Sequence, residues 1–216
     1  AEEAADLYEA GFRDVCRAVA TSGGDLLVNY RSDDALGGDG DSEAELRGAL
    51  EPVTGVDADD VRFEVQVGET FAGRAGNTAS HLLEDEEETS VAIAEPTAVF
   101  LTRQVIDESA MKLRRREVVL GPASGGRVYY AGFREPVDFD GAYAPPALVT
   151  LTERGVDAGL DVDYVGSAPV LETASDLADL LVTVRARRAA GRNAPAHTAD
   201  ALASLDLRAV PEDGGL

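Results

Sequence analysis

The chain has 216 residues, of which 44% are apolar and 28% charged, enough for one large α/β domain with a buried core. No apolar run approaches the ~18 residues that span a bilayer, and residues 1–4 fit neither a signal nor a transit peptide, so a cytoplasmic protein away from membranes is expected. Forty-one Asp and Glu against 19 Lys and Arg leave a net charge of −22, which repels a phosphate backbone and argues against a nucleic-acid partner.

Residues 1–22 place Leu7, Phe12, Val15 and Val19 along one helical face and stop at Gly23 and Gly24. Residues 25–30 are a short apolar strand. The polar stretch 31–42, with glycines and aspartates at its tip, reads as a surface loop, and Ser42 with Glu45 as a capping box for a helix ending near Leu50. Residues 61–67 alternate strictly, as in a strand with one wet face. A helix over 73–84 leads to 90–94, a continuously apolar strand expected at a sheet centre. Thr102 caps the next helix, which runs to about Arg114. Strands at 117–121 and 128–133 flank a Gly-rich turn. A helix over 146–154, a strand over 160–165 and a long helix over 173–190 follow. A short helix over 195–204 and an edge strand over 207–210 end the chain.

This alternation predicts a single three-layer α/β/α domain over 1–216 with a mostly parallel sheet, residues 191–216 forming a C-terminal extension. Such sheets open with a central strand, whereas this chain opens in a helix. A strand and its loop are therefore expected ahead of Ala1.

Of the 19 basic residues 18 are Arg, and Lys112 is the only lysine. An acidic surface with almost no Lys fits a cytosol at molar salt, where the Debye length falls to about 3 Å and screens the self-repulsion. An Arg bias from a GC-rich genome would produce the same counts in an ordinary acidic protein. The lone Cys16 excludes an internal disulfide and a Cys-based zinc cluster, and it reads as a buried thiol among Phe12, Val15 and Val19. His81 and His197 have neither triad nor metal spacing. Arg114, Arg115 and Arg116 form the only basic run, and a helix C-terminus accounts for them.

The most distinctive segment is Gly121-Pro122-Ala123-Ser124-Gly125-Gly126-Arg127-Val128-Tyr129-Tyr130-Ala131-Gly132. It resembles the Gly-Pro-Ala, Asp-Gly-Gly, Tyr-Tyr segment of the DUF2064 family. Those proteins are GT-A-like, with the nucleotide-diphospho-sugar transferase fold, related to glycosyltransferases and to nucleotidyltransferases such as the molybdenum-cofactor and phospholactate guanylyltransferases. Three further pieces occur in the family's order. Gly73-Arg74 matches a helix start; Ile93-Ala94-Glu95-Pro96-Thr97 with Leu101-Thr102 resembles Ile-Gly-Ser-Asp-x-Pro-x-Leu-Thr. Leu171 to Leu177 resembles Val-Asp-Thr-Pro-Glu-Asp-Leu. Together these span residues 68–181 and point to a haloarchaeal member.

A sheet of this class binds its ligand outside the carboxyl ends of its strands. Glu95, the turn Ser124 to Arg127, and Glu172 each follow a strand or apolar run, so all three are expected at one rim. The resemblance implies a nucleotide or nucleotide-sugar donor and Mg²⁺ or Mn²⁺, with Glu95 catalytic and Glu95 and Glu172 as metal ligands. Arg74, Ser124, Gly125, Gly126, Arg127 and Tyr129 are the implied donor-binding residues. Bland readings stand beside these. Glu95 also suits a solvated turn, the glycines a tight hairpin, and Glu172 with Asp176 a helix start. Only one of Tyr129 and Tyr130 is expected to face the cleft.

The chain departs from the family pattern at the acidic positions. Gly125 stands where the family has the Asp of Asp-Gly-Gly, Arg127 replaces its second glycine, and Glu95 and Glu172 replace Asp. An added methylene displaces carboxylate oxygens by more than the near-ideal octahedron of Mg²⁺ tolerates. Two functions follow: a glycosyl- or nucleotidyltransferase using an activated nucleotide donor, or a nucleotide- or sugar-binding regulator on the same fold that has lost catalysis.

Overall fold

The computed structural model describes residues 2–37, 40–205 and 207. Helix α1 (Glu2–Ala20) buries Leu7, Ala10, Gly11, Asp14, Val15 and Ala18 along one face, and beside it Phe12 and Cys16, which pack in a separate cluster with Val28, Leu50, Val53 and Val61. Strand β1 (Leu27–Tyr30) pairs in parallel with β2 (Arg62–Val65). Between them lie α2 (Asp33–Leu36), one turn inside the expected loop, and α3 (Ser42–Leu50). The expected capping box on Ser42 is not formed. Asp41 is the cap, accepting from the Ala44 amide at 3.0 Å, while Ser42 lies inside the helix and donates from its amide to Asp33.

Thr70 caps α4 (Phe71–Ser80) through the Gly73 amide at 3.0 Å, and a π-helical turn (His81–Asp85) extends it. β3 (Val91–Ile93) precedes α5 (Arg103–Leu113), which Thr102 caps as expected. The hairpin of β4 (Val118–Pro122) and β5 (Val128–Phe133) is followed by α6 (Ala147–Asp157) and β6 (Val162–Tyr164). Helices α7 (Ala174–Ala189) and α8 (Ala196–Ser204) close the described chain. Of the expected edge strand, Leu207 has no regular structure and 208–210 lie outside the described residues.

β3, β5, β4 and β6 form a mixed sheet in that order. β3 and β4 both run antiparallel to β5, and β6 runs parallel to β4. Three strands therefore share a direction and β5 alone is reversed, because its short connection to β4 allows only an antiparallel return. β3 lies at the edge of this sheet, not at its centre.

Both faces of the sheet are covered. Val119 packs with Val15 and Ala18 of α1, with Leu101 just before α5 and with Leu113 at its end. Val118, Leu120, Ala131 and Phe133 pack with Ala79 of α4 and Leu151 of α6. This is the expected three-layer arrangement. A further cluster joins Leu7 to Leu180, Leu181, Val184, Ala199 and Leu202 of α7 and α8. Buried Asp14 accepts from the His197 amide at 3.1 Å and the Thr198 amide at 2.8 Å, so α1 caps the start of α8. Cys16 is buried as expected, and burial pushes its thiol up to about 12. Among the described residues no helix is long and apolar enough to cross a membrane.

Candidate functional site

The shared direction of β3, β4 and β6 brings the segments after them to one edge of the sheet. The Leu171 amide donates to the Thr97 carbonyl at 2.9 Å, and the Ala168 amide to the Pro122 carbonyl at 3.1 Å. The stretches around 95, 125 and 172 therefore meet, although up to 77 positions separate them. The edge has two walls.

On the first wall Arg127 is held completely. Its Nε donates to the Ser124 carbonyl at 2.8 Å and its Nη2 to Ser124 Oγ at 2.9 Å. Nη1 and Nη2 grip the two oxygens of Asp176 at 2.7 Å each, and Nη1 also reaches Glu172 at 3.2 Å. All five N–H donors of the guanidinium are thus committed within the protein. Asp176, only 7% exposed, also accepts from the Glu172 and Thr173 amides at 3.1 and 2.9 Å, and with Thr173 completes the capping box of α7. Arg127 above all, then the cap bonds, holds its carboxyl far below the usual carboxylate range.

The second wall is unsatisfied. Glu95 has no hydrogen bond or ion pair among the described residues. Its side chain is solvent-exposed, yet neighbouring protein removes part of its hydration. That loss of hydration raises its pKa, the Glu172 charge raises it further, and Arg74 opposes both. Arg74 donates from Nη1 to the Glu69 carbonyl at 2.9 Å, while its enclosed Nε has no partner among the described residues. The enclosed Tyr143 hydroxyl has none either. Its ring packs edge-to-face on Phe71, at the start of α4, with 4.8 Å between centroids. Burial first, and then Glu95, raise the Tyr143 hydroxyl's pKa. The same two causes raise that of Tyr8, which is 54% exposed.

Tyr8 and Tyr143 escape a reading of the sequence, because only long-range packing brings them to Glu95. α1 reaches this wall through Gly11, where a Cβ would stand 2.3 Å from the Pro96 carbonyl oxygen, so only bare backbone fits. In the β4–β5 turn, Gly125 and Gly126 have φ of 70° and 73°, and a Cβ on Gly126 would lie 2.8 Å from that of Pro146. Ser124 is exposed at the tip and serves Arg127. Tyr129 does not line the cleft. It is 3% exposed and its hydroxyl donates to the Gly166 carbonyl at 2.8 Å, tying β5 to the segment after β6. Tyr130 is buried as well.

The donor set at this edge does not fit a divalent cation. One Glu172 oxygen and both Asp176 oxygens are engaged by Arg127, and among the described residues Glu95 is the acid of this edge with neither oxygen committed. Among the described residues no group of three or more His, Cys, Asp or Glu is placed to hold a metal ion. Mg²⁺ at nucleotide sites takes one or two carboxylates and fills its octahedron with phosphate oxygens and waters, so the capture of Glu172 and Asp176 by Arg127 removes the protein anchors it would use on this wall.

No family model matches the chain, and no curated protein matches it either. A solved structure is. A protein of Desulfovibrio desulfuricans G20, named as a nucleotide-diphospho-sugar transferase, superposes with a TM-score of 0.76, covering 95% of this chain and 84% of its own at 22% identity. The fold is GT-A-like. That likeness agrees with the three-layer α/β architecture expected from the alternating elements, although β1 and β2 form a parallel pair apart from the mixed four-stranded sheet, where one mostly parallel sheet was expected; the edge described above lies at the carboxyl ends of β3, β4 and β6.

Proposed function

We propose that the protein is a glycosyl- or nucleotidyltransferase that takes a nucleotide-activated donor at the wall formed by Arg74, Glu95 and Tyr143. One observation carries this reading: a carboxylate with a raised pKa and no hydrogen bond lies near two enclosed polar groups that have no partner among the described residues. Buried polar atoms are almost always satisfied, and perturbed carboxyls gather where chemistry is done. The diphosphate of the donor faces the Arg74 guanidinium, whose free Nε–H is a charge-assisted donor. In the glycosyl reaction the acceptor oxygen bonds to the anomeric carbon and the bond from that carbon to the diphosphate oxygen breaks. Glu95 takes the acceptor's proton, and a raised pKa makes it the better base near neutrality. The diphosphate leaves with one more negative charge, which Arg74 stabilises.

A second reading, nucleotide binding without turnover, is favoured by Gly125, which stands where the resembling family carries a carboxylate. One titration separates the two. UDP-glucose, dTDP-glucose, GTP and CTP are each added in molar KCl, with melting temperature and calorimetric affinity as readouts. One donor is expected to stabilise the protein. Arg74→Gln is expected to weaken that donor about 10- to 100-fold, the value of one charge-assisted contact. Glu95→Gln retains binding but loses turnover in the transferase and changes nothing in a mere binder. No response to any nucleotide, or wild-type affinity in Arg74→Gln, overturns the site.

The motif order from Gly73 to Leu177 supports a place near the DUF2064 family, and the excess of carboxylates supports life at molar salt. On that view thermal stability falls as KCl drops below about 1 M and screening is lost. Undiminished melting in dilute buffer removes the salt argument.

A further inference from the structure

Three features of the first wall bear on which cation serves this site. Arg127 Nη1 stands 2.7 Å from Asp176 and 3.2 Å from Glu172, at the point where two carboxylates converge. The guanidinium has no donor left over for a ligand, so it neutralises these acids and does nothing else there. Glu95, Glu172 and Asp176 with Arg127 carry a net charge of −2, and Arg74 near Glu95 brings it to the −1 that three carboxylates and a divalent cation would give. The remaining carboxylate, Glu95, interacts electrostatically with Glu172 and so completes the acidic set.

We infer that Arg127 is a covalently attached substitute for a divalent cation: it occupies the cation's place between Asp176 and Glu172, and the site works without metal. Its position is fixed by the turn. Gly125 and Gly126 adopt left-handed backbone, Ser124 accepts from Arg127 through both its carbonyl and its hydroxyl, and the Ala123 amide closes the loop on the Arg127 carbonyl at 2.8 Å. A guanidinium held this way is pre-organised and always charged. It differs from a metal ion in that it cannot be removed by a chelator and has no open coordination position for a phosphate oxygen. The diphosphate must then be met by Arg74 on the opposite wall. That last step rests on the transferase reading; the exclusion of metal does not.

The experiment uses Mn²⁺ alone as the probe, counted by electron paramagnetic resonance in molar KCl to suppress diffuse binding to the acidic surface. Wild type is expected to show no site-bound Mn²⁺ at submillimolar concentration. Arg127→Gly, which restores the residue of the resembling motif and frees the carboxylates, is expected to gain one Mn²⁺ site, at least tenfold tighter than any in wild type. Adding Glu172→Gln to Arg127→Gly is expected to abolish it. A folded Arg127→Gly protein without a new site overturns the inference. If that variant does not fold, the wild-type measurement still decides. A Mn²⁺ site in wild type that disappears in Glu172→Gln refutes the inference, and its absence together with donor affinity unchanged by chelator upholds it. Failure of every nucleotide to bind would sink the transferase reading and leave the Mn²⁺ result standing.

Discussion

The two walls of this edge are built from the same kinds of residue in opposite states. On one, an arginine and two acids satisfy each other completely: Arg127 spends five donors on Ser124, Glu172 and Asp176. On the other, Arg74 and Glu95 sense each other's charge without a direct bond, and the Arg74 Nε and the Tyr143 hydroxyl are left over. A closed polar network stabilises a fold and specifies its geometry. An open one opposes folding and persists where a ligand completes it. The presence of charged residues at a rim is therefore a poor guide to the binding surface, and their state of satisfaction a better one.

The contrast breaks most visibly at Asp176. Asp176→Ala leaves Arg127 without its main partner and α7 without its capping box, and we expect a loss of about 3 kcal/mol, or roughly 6–12 °C in melting temperature. Because the folded pKa is depressed, this contribution is complete above the unfolded carboxylate value and is lost as pH falls below about 4. Melts of wild type and variant should converge in acid. A gap that persists at low pH would show that Arg127 is not what Asp176 holds. A smaller effect comes from Tyr129→Phe, which removes the bond to the Gly166 carbonyl and is expected to lower stability by about 1 kcal/mol. Donor affinity should stay unchanged, and a tenfold drop would return Tyr129 to the binding surface.

The smallest effect carries the opposite sign. Glu95 has a raised folded pKa, so its charge opposes folding above that pKa and is neutral in effect below the unfolded value. Glu95→Gln should therefore stabilise the protein near neutrality by about 0.5 kcal/mol, a modest figure because the group is wetted. The advantage should disappear as pH approaches about 4. Chemical denaturation across that range measures it. A destabilised Glu95→Gln would place Glu95 among the structural acids beside Asp176.

Most elements were legible from short-range signals. Thr102 and Thr173 precede helices with the residues that caps require, and the alternation of strands and helices led to a three-layer domain. The convergence of 95, 125 and 172 was legible too, because it needs only the rule that segments after like-directed strands share an edge. Three things were not. The cap at Asp41 stands beside a serine equally suited to the role, and only the contact of Ser42 with Asp33 decides between them. The edge position of β3 depends on which strands pair, which an apolar run does not encode. The pairing of Arg127 with Asp176 joins residues 49 apart, and no local pattern distinguishes an arginine bound to protein from one awaiting phosphate. That difference separates the two walls, and it resides entirely in tertiary structure.

The close approach at Gly11 has a consequence for how this protein can change. The backbone of the first helix rests on the carbonyl of Pro96, next to the proposed base, with no side chain between them to absorb a shift. Any larger residue at position 11 must move the helix or the loop, and moving the loop displaces the Glu95 carboxylate. A position 84 residues upstream in the chain thus limits how far the reactive group can drift, and related sequences should tolerate variation along most of that helix while keeping this one site bare.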